Sequence, residues 1–511
     1  MPNAIVKNVF AVLFLVVLCF IIGGQAAESA VSSVGILAAI IGSVILLWLG
    51  PRCWGGIYIL PPVLALLPLP GKLALLPVGF IVGFGILCYW TMMWVMGYVK
   101  FKWRGLLVMD VLVLVMFAYM VASFLRHPVS INMLGLDVEY VGGKEYAWCV
   151  LAVLYYVAVS SIPCTYEQVS RVMKWAIRST LFFSIVAVVL RLVGIRGNLG
   201  AESIGEAVEG TRFAWFAPIG LYCIYIIYGQ KSMLKILMSP GLIIGIAFSL
   251  LAILISGWRE KLMASCFIIT ALAFIKRELW CLVLMLAMAY GGVLFLSTEG
   301  LVKQMPYGIQ RCLSVVPGVE IEEYIRGETE HSTDWRVEMW GWAMDARYGY
   351  IQDYTWGDGF GQSVDWLRRD ATAMMRGELL LGDQERFAAT GTWHSGIITS
   401  IHRLGYIGLA IISLIYLYGT YMMFRVCFLW KNTNLYLPAL FFVLPYAAEP
   451  SLFYISEGTI LKFFHTYMYL ATIKLFYCLA KEKGLVKPWL FRRHYVPQVI
   501  REYGNELQPG H

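Results

Sequence analysis

The chain has 511 residues, 59% hydrophobic and 14% charged, with a mean hydropathy of +0.70. Its repeated apolar runs approach the length of a bilayer crossing, which excludes an ordinary globular domain. The formal charge of +8 does not mark a nucleic-acid binder, because Lys and Arg are scattered through short loops and the tail with no basic domain.

Backbone groups in hydrocarbon must be satisfied internally, which leaves helices or a closed barrel. The runs have helical length and lack barrel-like alternation, so the sequence predicts an all-α polytopic membrane protein of about fourteen transmembrane helices. In chain order they fall at 5–24, 30–49, 54–69, 74–98, 105–125, 147–161, 179–195, 213–228, 236–255, 260–275, 278–297, 398–424, 435–450 and 455–479. Residues 9–22 followed by GGQAAESA also fit a signal peptide, whose removal would leave an odd number of spans.

With this count the basic residues fall in alternate loops, as the positive-inside rule requires. Lys100, Lys102 and Arg104 share one side with Arg171, Lys174, Arg178, Lys231, Lys235, Lys276, Arg277, Arg425 and Lys431. The tail agrees through Lys481, Lys483, Lys487, Arg492 and Arg493. Both termini are expected in the cytoplasm. The loops around 126–146, 196–212 and 256–260 are expected outside, with a hydrophilic island at 298–396. Asp110 and Arg191 are the main charges within spans, and no internal repeat is visible, which weighs against a transporter or flippase.

The eleven cysteines include no C-x-x-C pair, and Cys312 alone lies in the island, so no disulfide forms within that loop. No zinc spacing, phosphate-binding loop or nucleophile elbow is present. Chemistry therefore rests on other residues of the outer face. Arg259 stands where one span ends and the next begins, so it either anchors a tight turn with Glu260 or binds an anion. Arg336 sits in STDWRVEMWGWAMDARYGY, an amphipathic stretch that Ser332, Thr333 or Asp334 can cap. There Trp335, Met339 and Trp342 recur at helical spacing, with Arg336, Trp340 and Arg347 on the remaining surface. Arg336 either pairs with Glu338 or Asp345 or meets a ligand. TWGDGFGQ reads as a glycine turn rather than a nucleotide site.

His394, just before the next span, has the chemistry of a proton acceptor near neutral pH. Gly405 and Gly408 follow on the same span, where small residues allow close helix approach. His402 and Arg403 read as packing or pathway residues. Trp335, Trp340, Trp342, Trp356, Trp366 and Trp393 either stack on sugars or mark the membrane interface.

The sequence of His394-Ser395, Leu404-Gly405 and Gly408 resembles the O-antigen ligase and O-antigen polymerase superfamily of bacterial envelope glycosyltransferases. Ser256-Gly257-Trp258-Arg259, the pair Arg336 and Trp340, and Gly357-Asp358-Gly359 extend the resemblance, which covers about residues 180 to 450. Ser395 stands where that family usually has Asn, Trp258 where a small residue is common, and the span count exceeds the usual dozen. The resemblance implies a GT-C-like architecture. N-terminal helices occupy 1–178, a catalytic region 179–450 including the 298–396 loop, a last helix 451–480 and a basic cytoplasmic tail 481–511.

It further implies transfer of a glycan from undecaprenyl diphosphate to an acceptor sugar hydroxyl, with inversion, at the outer face of the bacterial inner membrane. The product belongs to O-antigen, lipopolysaccharide or exopolysaccharide synthesis. Partners are the lipid-linked donor, an acceptor glycan or glycolipid and membrane lipid; no cofactor, metal or nucleic acid is expected. His394 is the candidate base, with Asp334, Glu338 and Asp358 as carboxylate alternatives. Arg259 and Arg336 clamp the diphosphate, Arg212 is a third candidate, and Trp340, Asp334 and Glu338 contact substrate. The extra spans favour a polymerase over a ligase, since a polymerase houses two lipid carriers.

Overall fold

In the computed structural model, residues 50–64, 78–102, 104–129, 140–192, 216–255, 259–314, 316–363, 387–388, 391, 393–455 and 461–486 are described. The expected spans at 5–24 and 30–49, Arg212, Ser256, Gly257, Trp258 and Trp366 lie outside them, as does the side chain of Arg191.

The described chain is helical almost throughout. Its longer helices are α1 (Val78–Val95), α2 (Val108–Arg126), α3 (Gly143–Ser160), α4 (Tyr166–Leu192), α5 (Phe216–Gln230), α6 (Pro240–Ile255), α7 (Arg259–Lys276) and α8 (Leu279–Thr298). Two helices of the island follow, α9 (Tyr307–Leu313) and α10 (Glu323–Met344). Then come α11 (Gly396–Trp430), α12 (Tyr436–Phe442), α13 (Glu449–Ile455) and α14 (Leu461–Glu482). Among the described residues four segments are long and apolar enough to cross a membrane: Val108–Arg126, Tyr166–Val189, Gly396–Trp430 and Tyr436–Ile455. Shorter apolar helices cover Gly83–Val95, Glu145–Ser160, Phe216–Gln230 and Pro240–Ile255.

Helix α2 shows why these helices fit lipid. Met109, Val113, Met116 and Met120 face the core, while Val111, Leu114, Val115 and Val121 are exposed on the other side. A helix apolar on both faces is stable in hydrocarbon and unfavourable in water. The centre of the bundle is α14, buried at every position from Ala471 to Ala480 and packed chiefly on α3.

Several boundaries depart from hydropathy. Helix α4 begins at Tyr166 rather than 179, because Val169, Met173, Ala176 and Ile177 bury one face while Arg171 and Lys174 remain exposed. An apolar average misses such an amphipathic turn. The expected span at 54–69 begins as a 3-10 turn (Gly50–Gly55) and short helices Gly56–Ile59 and Pro61–Leu64. The segment 435–450 is likewise divided around a 3-10 stretch, Leu444–Ala448, which has Pro445 at its start.

Charge inside the bundle exceeds the sequence expectation in one place. Lys474 of α14 lies 2.5 Å from Asp110 of α2, both nearly inaccessible. Asp110 also accepts from the Tyr156 hydroxyl at 2.7 Å and from the Leu107 amide at 2.6 Å. These bonds make burial of the pair tolerable, since an unpaired charge there would cost several kcal/mol.

The loops assigned to one side by charge do meet at one end of the bundle. Lys102 pairs with Glu482 at 2.8 Å, Lys483 with Glu167 at 3.4 Å, and Arg104 donates to the Ser160 carbonyl at 3.0 Å. The Tyr166 ring stacks on Trp430 at 5.6 Å, and Lys431 donates to the Ile275 carbonyl, joining the ends of α4, α7 and α11. At the other end, β1 (Tyr140–Val141) pairs antiparallel with β2 (Gln362–Ser363), and Arg126 reaches Asp353 at 3.1 Å. The loop before α3 and the island therefore share a face.

Candidate functional site

The island builds a small core of its own. Met339 and Ala343 of α10, Ile351, Ala388, Trp393, and Ile398 and Ile401 of α11 pack together, with Trp335, Trp340 and Phe387 around them. Helix α10 starts at Glu323, well before the capping residues expected at 332–334. Thr333 instead donates back to the Thr329 carbonyl, and Thr329 to that of Ile325, so these hydroxyls serve helix interior turns. The helix ends at Met344; Arg347 lies beyond it and pairs with Asp345 at 2.6 Å in solvent.

The defining local feature is a break in α11 at Gly405, whose φ of 65° and ψ of −176° only glycine adopts readily. The turn Tyr354–Gly359 satisfies backbone groups on both sides of the break. The amides of Asp358 and Gly359 donate to the carbonyls of His402 and Arg403 at 2.7 and 3.1 Å. Beyond the break, the amides of Tyr406 and Ile407 donate to the carbonyls of Tyr354 and Thr355 at 2.8 and 3.3 Å. The Tyr119 hydroxyl donates to the Leu404 carbonyl at 2.6 Å. A Cβ on Gly405 would lie 2.1 Å from the Thr355 oxygen, and one on Gly408 3.1 Å from the Tyr119 ring. Gly405 thus admits a loop backbone into the helix, whereas the sequence suggested close packing between helices.

This arrangement makes 396–404 a short outer helix, about 14 Å long, and leaves 406–430, about 37 Å, for the crossing. Ser395 caps the outer helix and accepts from the Ile398 amide at 3.5 Å. Ser is among the residues preferred at a helix start, since its hydroxyl meets an amide left without a partner within the helix. His394 immediately precedes the cap with a φ of 48°, uncommon for a residue bearing a side chain.

His394 is half-buried against Phe387 and Trp335, at ring distances of 4.7 and 5.6 Å. Its backbone is tied by its neighbour Trp393, whose carbonyl accepts from the Trp340 indole at 2.7 Å and whose own indole donates to His402 Nδ1 at 3.0 Å. His402 Nε2 lies 3.7 Å from Asp358. Asp358, one of the carboxylate bases the sequence offered, accepts from the amides of Gln352 and Asp353 at 2.9 and 2.8 Å and so shapes the loop. Arg403 donates to the Gly359 carbonyl at 3.1 Å. His402 and Arg403 thus tie the outer helix to Trp393 and to the turn Tyr354–Gly359. Trp393 is fully buried and offers no face to a sugar, and the Trp340 N–H is committed to structure.

The structure brings His394, Arg336 and Arg259 into one electrostatic neighbourhood. Burial, and next the charge of Arg336, hold the imidazole below its ordinary 6.5, with Glu260 opposing them. Arg259, at the first residue of α7, is lowered by burial, then by Arg311 and Arg336. Arg336 is half-buried, and its Nε is inaccessible and without a hydrogen-bond partner. Guanidinium groups that feel one another's charge, one of them with a buried N–H unmet, have the chemistry to take up an anion. Sequence reading missed Arg311, Glu328 and Glu260 as participants. Asp334 and Glu338, favoured instead, are exposed along α10. Glu260 acts on His394 rather than serving as the partner of Arg259.

The lowered imidazole has a pH consequence. A base acts when unprotonated, so the acid limb of kcat/KM against pH should fall below the ordinary histidine value. Arg336→Gln removes a positive neighbour and should move that limb to higher pH; Glu260→Gln removes the opposing anion and should move it lower. Limbs that coincide in all three proteins would exclude His394 as the titrating group.

No protein-family model matches the chain, and no curated protein matches it significantly.

Proposed function

We propose that the protein is a membrane glycosyltransferase of the O-antigen ligase and polymerase type, with about fourteen spans and a GT-C-like architecture. It passes a glycan from undecaprenyl diphosphate to an acceptor sugar hydroxyl on the outer face of the bacterial inner membrane. The observation that carries this reading is the convergence of Arg259, Arg336 and His394, from three separate elements, at the end of the bundle opposite the Lys- and Arg-rich loops. Those loops face the cytoplasm by the positive-inside rule, which puts the site outside.

In the reaction, the acceptor oxygen attacks the anomeric carbon and the bond from that carbon to the diphosphate oxygen breaks. His394 takes the hydroxyl proton. The arginines stabilise the charge that gathers on the leaving undecaprenyl diphosphate, where fork-shaped guanidinium donors match phosphate oxygens. The product carries the inverted anomeric configuration.

Purified protein given lipid-linked glycan and acceptor should form the new glycosidic bond, unaffected by chelator. Arg259→Lys and Arg336→Lys keep the charge and lose the fork, so each should slow transfer at least about tenfold. Near-normal rates in both, or a strict magnesium requirement, would count against the clamp. A deletion strain separates the two acceptors. Single repeat units on their final acceptor mark a polymerase, towards which the extra spans lean, and long chains stranded on undecaprenyl diphosphate mark a ligase. The buried Asp110–Lys474 pair is the one observation favouring a transporter, since intramembrane charges often line transport paths. Lipid-linked glycan accumulating on the cytoplasmic leaflet of the deletion strain would favour that alternative.

A further inference from the structure

The arginine neighbourhood has a third member with a partner already in place. Arg311 lies on α9, which is fixed from beneath by Gln310. That side chain donates to the carbonyls of Lys303 and Met305 at 3.0 and 2.8 Å and accepts from the Glu322 amide at 3.0 Å. Ile309, Cys312 and Leu313 are buried, and Ile309 and Leu313 pack in a cluster with Val302, Val319, Ile321 and Ile325. The helix is thus seated against this cluster, and the charge of Arg311 is felt at Arg259, the first residue of α7.

The Arg311 guanidinium is 3.4 Å from one oxygen of Glu328, and its Nη1 also donates to the Tyr307 hydroxyl at 3.2 Å. Tyr307 in turn donates to the other Glu328 oxygen at 2.5 Å. Arg311 is mostly covered, whereas Glu328 is 45% exposed. Glu328 and Arg336 stand eight positions apart on α10, about 80° apart around the helix and about 12 Å apart along it. Helix α9 packs against both α10, which carries Glu328 and Arg336, and α7, which begins at Arg259.

We propose that Arg311 is the third guanidinium of the diphosphate site, and that Glu328 is its resident counter-ion, exchanged for the lipid diphosphate when the donor binds. The inference rests on the diphosphate reading of the site and deepens it. Arg259 is more strongly affected by Arg311 than by Arg336, and Glu328 relieves that repulsion only in part. With Glu328 exchanged out, three guanidinium groups face the two negative charges of a diphosphate diester, and Glu260 is the other carboxylate of the neighbourhood. A partly exposed carboxylate gives way at lower cost than a buried one, because water replaces its lost bonds. Tyr307 holds Glu328 within reach, so the arginine is neutralised again when the lipid carrier departs.

The test titrates inorganic pyrophosphate into the purified full-length protein in detergent, with binding followed by calorimetry and folding by thermal melting. Wild type should bind saturably, and Arg311→Gln should weaken binding at least about tenfold, the loss expected for charge-assisted hydrogen bonds. Glu328→Gln should tighten binding several-fold, because it removes the competing anion, even if it lowers the melting temperature. A merely structural ion pair predicts the opposite, weaker binding in both variants in step with lost stability. That result, or unchanged affinity in folded Arg311→Gln, overturns the proposal. Loss of binding in Arg336→Gln with full binding in Arg311→Gln would remove Arg311 alone and leave the diphosphate reading standing. No saturable binding by folded wild type would overturn both.

Discussion

His394→Ala should lower glycan transfer by about 10²–10⁴-fold, the usual worth of a positioned general base, while the protein folds and melts much as wild type does. The side chain is half-buried and packs against Phe387 and Trp335, so its removal costs some packing. Its backbone, however, is held by Trp393, buried on the core side and bonded to Trp340 and His402. Alanine also keeps the local geometry, although the positive φ of 48° is no easier for it. Binding of pyrophosphate should survive, because the arginines are untouched. A variant that turns over normally would remove His394 from the mechanism. Glu260, the carboxylate whose charge acts on it, would then become the candidate base.

Gly405→Ala should disable the protein by a different route. The backbone there lies in a region open essentially to glycine, at a cost of about 1–3 kcal/mol for any other residue. The new Cβ would meet the Thr355 carbonyl oxygen at 2.1 Å, so the turn Tyr354–Gly359 must also withdraw. Withdrawal breaks the amide bonds to His402 and Arg403 and those from Tyr406 and Ile407. Buried backbone groups left unpaired cost about 1–3 kcal/mol each, so the total loss is several kcal/mol. The expected result is a large fall in melting temperature or failure to accumulate, with activity lost in step. Gly241→Ala is the control, since nothing lies within 4 Å of its added methyl group and alanine favours a helix. Equal melting of the two variants would show that the break at Gly405 carries little of the stability.

The two substitutions address different products of the same chain segment. His394 is the base of the proposed reaction, and Gly405 supplies the break that sets the outer helix 396–404 at an angle to the crossing helix. The spacing from His394 to Gly405 and Gly408 therefore has a structural meaning in this protein. It is the length of an outer helix between the capped start at Ser395 and the point where the turn Tyr354–Gly359 enters.

Sequence alone determined the helical membrane class, the grouping of loops at two ends of the bundle, and the candidates His394, Arg259 and Arg336. Each of these depends on properties that add along the chain: transfer free energy, the sign of charge in short loops, and the intrinsic chemistry of a side chain. The early start of α4 and of α10 was not legible, because an amphipathic or polar helix held by tertiary contacts has no apolar average to reveal it. Tertiary structure alone decided where the carboxylates lie. Glu260 and Glu328 act on the histidine and arginines, while Asp358 is spent on backbone amides and Asp334 and Glu338 lie exposed. It also decided that Trp393 is a buried strut, that Lys474 neutralises Asp110 across 364 positions, and that α11 breaks where a loop satisfies its freed amides and carbonyls. Such pairings depend on which segments meet in space, and Coulomb and hydrogen-bond energies fall away within a few ångströms whatever the distance along the chain.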